Sequence, residues 1–186
     1  MHPVTGTHLS NLAGLLYAMG DYAGAAPLFR RALAIAEQAQ GPIHLAVANI
    51  LYGLGPTLAE LGQVDEAVAL LRRGLEFVDE LQGSKSESAL TSRQNLGVLL
   101  RDAGRLSEAE ELLSQALSTA QQLYGDDALD TAPSLSALGQ LRALQGRTGE
   151  ARALLTKCLA IRERELPAGD ERLEAVRARL ISLAAD

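Results

Sequence analysis

A spacing of 42 residues recurs along the chain and limits the folds open to it. Three series share this register: a glycine series, an alanine series that starts at Ala25 and a leucine series that starts at Leu12. The glycines are Gly20, Gly62, Gly104 and Gly146. A fixed period of about 20 to 50 residues is typical of repeat proteins. The chain is therefore predicted to be an array of similar structural units.

Each unit has the pattern of two helices joined by a glycine turn. In the first unit, four apolar residues recur at helical spacing, which predicts a first helix with one face in the core. They are Leu9, Leu12, Leu16 and Met19. Gly20 is predicted to end this helix, Asp21 to cap the second helix, and Gly41 to end the second. In the third unit, Ser107 with Glu110 predicts a capping box.

One position in the middle of every first helix is small. It is occupied by Ala13, Gly55, Gly97 and Gly139. Glycine inside a helix costs about 1 kcal/mol relative to alanine. We therefore expect the two helices of each unit to cross so closely there that a larger side chain would clash, with the Ala25 series on the facing surface. Cys158 stands at a small position of the fourth second helix and is predicted to be a buried apolar residue, not a nucleophile.

Composition and charge narrow the classes of function. The formal net charge is −6, so no nucleic-acid partner is expected, because such a partner requires a basic face. No segment approaches the roughly 20 apolar residues of a membrane-spanning helix, and the N-terminus lacks a signal-peptide pattern. The single cysteine excludes an internal disulfide. We therefore expect a cytoplasmic protein without a membrane partner. A composition rich in Ala and Leu and poor in Lys favours a bacterial source with a GC-rich genome.

No motif in the sequence points to catalysis. His2, His8 and His44 lack the spacing of a zinc site such as HExxH. The sequence has no GxSxG, P-loop or GxGxxG pattern. His2 and His44 are one period apart, which favours a role at the repeat boundary. The chain is therefore predicted not to be an enzyme and to hold no cofactor and no metal.

Several residues of the repeat carry a family resemblance. His2-Pro3, the Asn-Leu-Ala sequence from Asn11 to Ala13, and Pro27-Leu28 are similar to the 42-residue tetratricopeptide repeat of kinesin light chains and their bacterial relatives. The resemblance implies a right-handed α-solenoid of four helix-turn-helix repeats and a C-terminal capping helix. The predicted single domain, 1–186, would comprise repeats at about 2–43, 44–85, 86–127 and 128–169 and a cap at 170–186.

The same resemblance implies a binding groove, because this family binds protein segments along a surface lined by the first helices. It assigns a peptide-binding role to Thr7, Ser10, Asn11, Tyr17, Asn49, Tyr52, Thr91, Gln94, Asn95, Arg101, Ser136 and Gln140. Most of these side chains are amides or hydroxyls. An amide can bracket a peptide N–H and C=O without the desolvation cost of a charge.

Two features of this lining depart from the family. The groove asparagines map to Asn11 and Asn95, but Gly53 and Ala137 interrupt the series. A clamp for a C-terminal carboxylate needs several basic residues in the groove, and only Arg101 occupies such a position, so this mode is not expected. The alternative for Arg101 is a surface ion pair with an acid such as Asp102.

The charged residues of the last helix, Arg179 among them, are expected to face away from its apolar stripe.

Pro56 lies inside the predicted first helix of the second repeat. Its ring would collide with the carbonyl of Tyr52, which costs about 3 kcal/mol or more unless the helix bends. The bend could expose that carbonyl to a ligand, or the neighbouring helices could simply tolerate the proline.

Three functions remain open on the sequence. The first is a scaffold that binds a peptide or partner protein in its groove, which the charge-poor lining favours. The second is a structural module that self-associates, with a weak homo-oligomer as its product. The third is a regulatory repeat segment of a larger signalling protein. The identity of the partner does not follow from the fold.

Overall fold

The computed structural model describes residues 3–185, which contain nine α-helices, one short 3-10 helix and no strand. His2 of the His-Pro motif lies outside the described residues. The helices are α1 Pro3–Ala18, α2 Tyr22–Gln40, α3 Leu45–Glu60, α4 Val64–Gln82, α5 Glu87–Asp102, α6 Leu106–Tyr124, α7 Ala132–Leu144, α8 Thr148–Glu165 and α9 Glu171–Ala185, with the 3-10 helix at Leu129–Thr131. The prediction of an all-α repeat fold is confirmed.

The chain divides into two compact units, Met1–Ser92 and Arg93–Asp186. In unit 1, α1 packs on α2, α2 on α3 and α3 on α4. In unit 2, α6 packs on α7, α7 on α8 and α8 on α9. The boundary falls inside α5. The single-domain boundaries of the sequence analysis stay a prediction. No helix of residues 3–185 is long and apolar enough to span a membrane.

The helix ends follow from the turn residues in most repeats. Asp21 caps α2 by accepting a hydrogen bond from the Gly24 amide at 2.9 Å. Gly41 ends α2 with a φ of 85°, a left-handed conformation that favours glycine. The predicted capping box at Ser107 and Glu110 is wrong, because α6 begins one residue earlier and has no side-chain cap. The Glu110 carboxylate instead accepts a hydrogen bond from Gln145 and forms ion pairs with Arg142 and Arg147, which all lie outside α6.

The core of each helix pair is formed at the small position of the first helix. A Cβ on Gly55 would lie 2.6 Å from Cγ of Leu71. A Cβ on Gly97 would lie 2.7 Å from the Leu113 side chain, and a Cβ on Gly139 would lie 2.9 Å from Cγ of Leu155. Ala13 is fully buried at the equivalent position. The predicted close crossing is confirmed. The Ala25 series is fully buried as expected, but the side chains that fill the contact belong to leucines four residues further along.

The apolar face predicted for α1 is only partly in the core. Leu12 is 48% exposed and Met19 is 80% exposed, whereas Leu54, one period after Leu12, is 1% exposed. The difference arises because α2 packs on α3, whereas no described helix precedes α1. Burial at this position therefore depends on the neighbouring repeat.

Pro56 does not interrupt α3, which runs from Leu45 to Glu60. Next to the proline, the Thr57 hydroxyl donates a hydrogen bond to the Gly53 carbonyl, one turn earlier in the same helix, at 2.7 Å. Thr57 is fully buried. The helix is thus continuous through the proline.

We predict opposite effects of alanine at two glycines of unit 1. Gly55→Ala should lower the free energy of unfolding by about 1–3 kcal/mol, because the new methyl group would overlap the Leu71 side chain. Gly14→Ala should raise it by about 0.5–1 kcal/mol, since nothing lies within 4 Å of its Cβ and alanine favours the helix. Urea denaturation of both variants tests this. Stabilisation by Gly55→Ala would contradict the close crossing.

Candidate functional site

A cavity of about 190 Å³ lies between α1, α2 and α3 of unit 1. Four predicted groove residues line it together: Thr7, Ser10, Asn11 and Asn49. The remaining wall is formed by Gly6, Ala36, Gln40, Ala46 and Ile50. Thr7, Asn11 and Asn49 are exposed and Ser10 is half-buried. The lining is polar and carries no charge.

A second cavity, of about 410 Å³, repeats this arrangement one period later in unit 1. Asn49, Tyr52 and Thr91, all predicted groove residues, line it. Seven of its nine lining residues stand 42 positions after a residue of the first cavity. Asn49 belongs to both cavities, so it joins the two sites. The period therefore places a similar set of lining residues at two successive repeat junctions.

The two predicted groove tyrosines differ in their surroundings. Tyr52 is half-buried, and a Cβ on Gly74 of α4 would lie 3.3 Å from its ring, so the ring both packs on α4 and lines the second cavity. Tyr17 lines neither cavity of unit 1. Its ring centroid is 5.3 Å from that of Tyr22. Burial raises the pKa of Tyr17, and the charge of Glu60 raises it further.

Packing explains why the asparagine series is interrupted at Gly53. A Cβ at this position would lie 2.5 Å from the Phe29 ring of α2. Phe29 stands in the first repeat where Leu71 stands in the second, and only 4% of it is exposed. An asparagine at position 53 would therefore collide with the core of the preceding repeat.

In unit 2 the predicted groove amides bond within the protein. The Gln94 amide donates to the Ser134 hydroxyl at 2.6 Å. Gln140 donates to the Ser136 hydroxyl at 3.0 Å and accepts from Arg101 at 2.8 Å. Ser136 is only 9% exposed. The chemistry of this unit thus differs from that of unit 1.

Asn95 is the exception among the unit 2 amides, because it is exposed. It lies two residues before Gly97, as Asn11 lies before Ala13. Its groove role stays a prediction.

A third cavity, of about 420 Å³, lies within unit 2 at the C-terminal end of α5. Arg101 and Gln140 line it with Arg179 and Ser182 of α9. Arg179 is exposed, as expected for a residue off the apolar stripe of α9, and it also lines this cavity. Arg179 stands one period after Ala137, at the position of Asn11 and Asn95, and Ser182 stands one period after Gln140. Extending the groove positions by one more period onto the capping helix would have identified both residues.

The profile of the tetratricopeptide repeat family matches residues 4–80 and 85–164, which together make up most of the chain. The chain belongs to the tetratricopeptide repeat family. Repeats of this family are generally protein–protein interaction modules and are generally not enzymes. No curated protein sequence matches the chain.

Solved structures with kinesin-light-chain-like repeats share the fold of this tetratricopeptide protein. A Podosopora anserina structure described as a kinesin light chain with nearly identical TPR-like repeats has a TM-score of 0.83, 23% identity, and coverage of 99% of this chain and 87% of that one. A variant of that protein with one substitution has a TM-score of 0.85 at 23% identity, covering 100% and 87%. BtubC (BKLC) from P. vanneervenii has a TM-score of 0.75 and 24% identity, covering 95% and 78%.

Among residues 3–185, no group of three or more His, Cys, Asp or Glu side chains could hold a metal ion. His44 acts at a repeat boundary as predicted, because its Nδ1 caps α3 by accepting from the Ala46 amide at 3.1 Å. Cys158 is fully buried, its thiol donates to the Ala132 carbonyl at 3.3 Å, and burial raises its pKa.

We predict that Cys158 resists alkylation in the folded protein. A raised pKa lowers the thiolate fraction at a given pH, and burial excludes the reagent. Iodoacetamide at pH 8 should modify the thiol at least about a hundredfold more slowly than in 6 M guanidinium chloride, as measured by mass spectrometry. Equal rates would contradict the buried position.

The contact between Gly53 and Phe29 predicts a rescue. Gly53→Ala should destabilise the protein by about 1–3 kcal/mol through overlap with the Phe29 ring. In a Phe29→Leu background the same change should cost less, because the ring is gone. A double-mutant cycle measured by urea denaturation tests the coupling. Additive effects would show that Phe29 does not determine the glycine.

Proposed function

We propose that this tetratricopeptide protein binds an extended peptide segment of a partner protein along its first helices. The observation that carries the proposal is the repetition of one cavity at two successive junctions of unit 1, with Asn49 in both. An extended chain presents N–H and C=O groups at regular intervals, so repeated cavities with polar linings suit it.

The side chains of these cavities support reading of a peptide backbone. Among the described residues, neither the Asn11 amide nor the Asn49 amide forms a hydrogen bond. Each can therefore offer its donors and acceptor to a ligand without breaking an existing bond. The first cavity has no charged side chain in its lining, and Glu87 is the one charged residue among those that line the second. A peptide that binds at the asparagines would therefore not have to desolvate a charged side chain.

Two ion pairs of unit 1 lie outside both cavity linings. Arg30 of α2 pairs with Glu66 of α4 at 2.8 Å, and Arg73 of α4 pairs with Glu37 of α2 at 2.6 Å. These pairs link successive second helices. The net charge of −6 supports a protein partner over nucleic acid, and the single cysteine supports a cytoplasmic location.

Peptide-display selection on the full chain tests the proposal. Selected peptides should bind the wild type and lose about tenfold or more in affinity for the Asn11→Ala, Asn49→Ala double variant, because each lost amide removes about 1 kcal/mol of hydrogen bonding. Gln38→Ala is the matched control, since it removes an exposed amide of α2 that lines neither cavity. Both changes are at exposed positions and should leave the denaturation midpoint almost unchanged.

The outcomes distinguish the proposal from its alternatives. Equal binding to the double variant and the wild type would move the site away from these cavities. An Asn95→Ala variant with weakened binding would extend the site to unit 2. A molar mass that rises with concentration in analytical ultracentrifugation, without peptide enrichment, would favour self-association instead.

A further inference from the structure

Two tyrosine rings meet in unit 1 where α1 ends and α2 begins. Tyr17 is the second-last residue of α1, and Tyr22 is the first residue of α2. Their ring centroids are 5.3 Å apart and their planes are inclined at 58°. Both side chains are half-buried, so each keeps part of its surface exposed. Two rings tilted in this way can contact one cation together, because the face of an aromatic ring carries partial negative charge.

A carboxylate without a counter-ion adjoins the aromatic pair. Glu60 is the last residue of α3, which contacts α1 directly. It stands one period after Ala18, the sequence neighbour of Tyr17. Burial raises the pKa of Tyr17 and the charge of Glu60 raises it further, so the carboxylate acts on the phenol through space. Glu60 is exposed, and within residues 3–185 its carboxylate forms no hydrogen bond and no ion pair.

The charges of unit 1 favour a cation at this place. Residues 1–92 contain nine acidic and five basic residues. None of the basic residues belongs to α1 or α3, since they lie on the second helices or after α4: Arg30, Arg31, Arg72, Arg73 and Lys85. Asp21, between the two tyrosines in sequence, adds a second negative charge while it caps α2. A ligand cation would therefore meet no basic residue on the two first helices that contribute to the site.

We infer that Tyr17, Tyr22 and Glu60 form a binding site for a cationic side chain, lysine or arginine, of the partner peptide. The rings supply cation–π contacts and the carboxylate supplies the opposite charge. One period later the two tyrosines are replaced by Ala59 and Val64, so the second repeat does not duplicate the aromatic pair. The inference rests on the proposed peptide-binding function and specifies the ligand chemistry at the first repeat.

Three blocked tripeptides separate the two cations from a neutral side chain of similar length. They are N-acetyl-glycyl-lysyl-glycinamide, its arginyl equivalent and its norleucyl equivalent, and the last carries no charge. Each is titrated into the full chain with ¹³C-labelled tyrosine rings, whose resonances are followed by NMR. The chain has four tyrosines. Tyr124 of unit 2 serves as the reference, and Tyr52 reports separately on the second cavity of unit 1.

We expect at least one cationic probe to shift the ring resonances of both Tyr17 and Tyr22, and the norleucyl probe to shift neither. The cation that binds more tightly identifies the preferred side chain. Glu60→Gln should raise the dissociation constant about threefold, since it removes a partly exposed ion pair. Tyr22→Leu should have an effect of about the same size, whereas Tyr22→Phe should bind like the wild type, because phenylalanine keeps the ring face.

Glu80→Gln is the matched control for Glu60→Gln. Glu80 is also exposed and also forms no hydrogen bond or ion pair within residues 3–185. It lies near the C-terminal end of α4, about 24 Å along that helix from Val64. Probe binding to Glu80→Gln should equal that of the wild type. Both variants should keep the denaturation midpoint of the wild type, so a loss of binding in Glu60→Gln would not come from unfolding.

Three results would overturn the cation site: no shift of the Tyr17 and Tyr22 rings with either cationic probe, equal binding of the norleucyl probe, or equal weakening by Glu60→Gln and Glu80→Gln. None of them bears on the two cavities of unit 1, whose test uses selected peptides and the asparagine variants. Conversely, a cationic probe that shifts both rings would support this site even if display selection enriched no peptide.

Discussion

The contact between a glycine of the first helix and a leucine of the second determines the geometry of the second, third and fourth helix pairs. At Gly55 the Leu71 side chain occupies the space where a Cβ would lie, so the orientation of the first helix about its own axis is fixed. A residue two positions earlier lies about 200° around that helix and therefore points away from the contact. Asn11 and Asn95 occupy this position, two residues before Ala13 and Gly97. The same packing that closes the core thus leaves the side chains at this position outside it.

Packing in one repeat also decides the lining of the next. The first repeat has Ala13 and Phe29 where later repeats have glycine and leucine. The Phe29 ring extends to Gly53 of the following first helix and excludes any side chain there. The interrupted asparagine series is therefore a consequence of core packing. Asn49, which joins both cavities of unit 1, supplies an amide close to the interruption.

Sequence reasoning succeeded where a residue type reports a backbone requirement. The turn glycines and the small position of each first helix are such cases. The family resemblance assigned Thr7, Ser10 and Asn11 to the groove, and these three residues line one cavity. It failed where the answer depends on a neighbouring element. Leu12 is exposed because no described helix covers it, and Ser107 does not cap α6 although its local pattern fits. Both outcomes depend on tertiary contacts, which a local sequence pattern does not describe.

The two units differ in the chemistry they offer to a peptide, and the difference bears on selectivity. If neutral amides such as Asn49 bind backbone groups, as proposed, they bind groups that every extended peptide presents, so on their own they would discriminate poorly. In unit 2, Arg101 and Arg179 line one cavity, so that unit presents positive charge where unit 1 presents neutral amides. Specificity arises from the cost of the wrong partner, such as a charge left without a counter-ion, as well as from attraction to the right one. The two units of one chain would therefore differ in the peptides they accept.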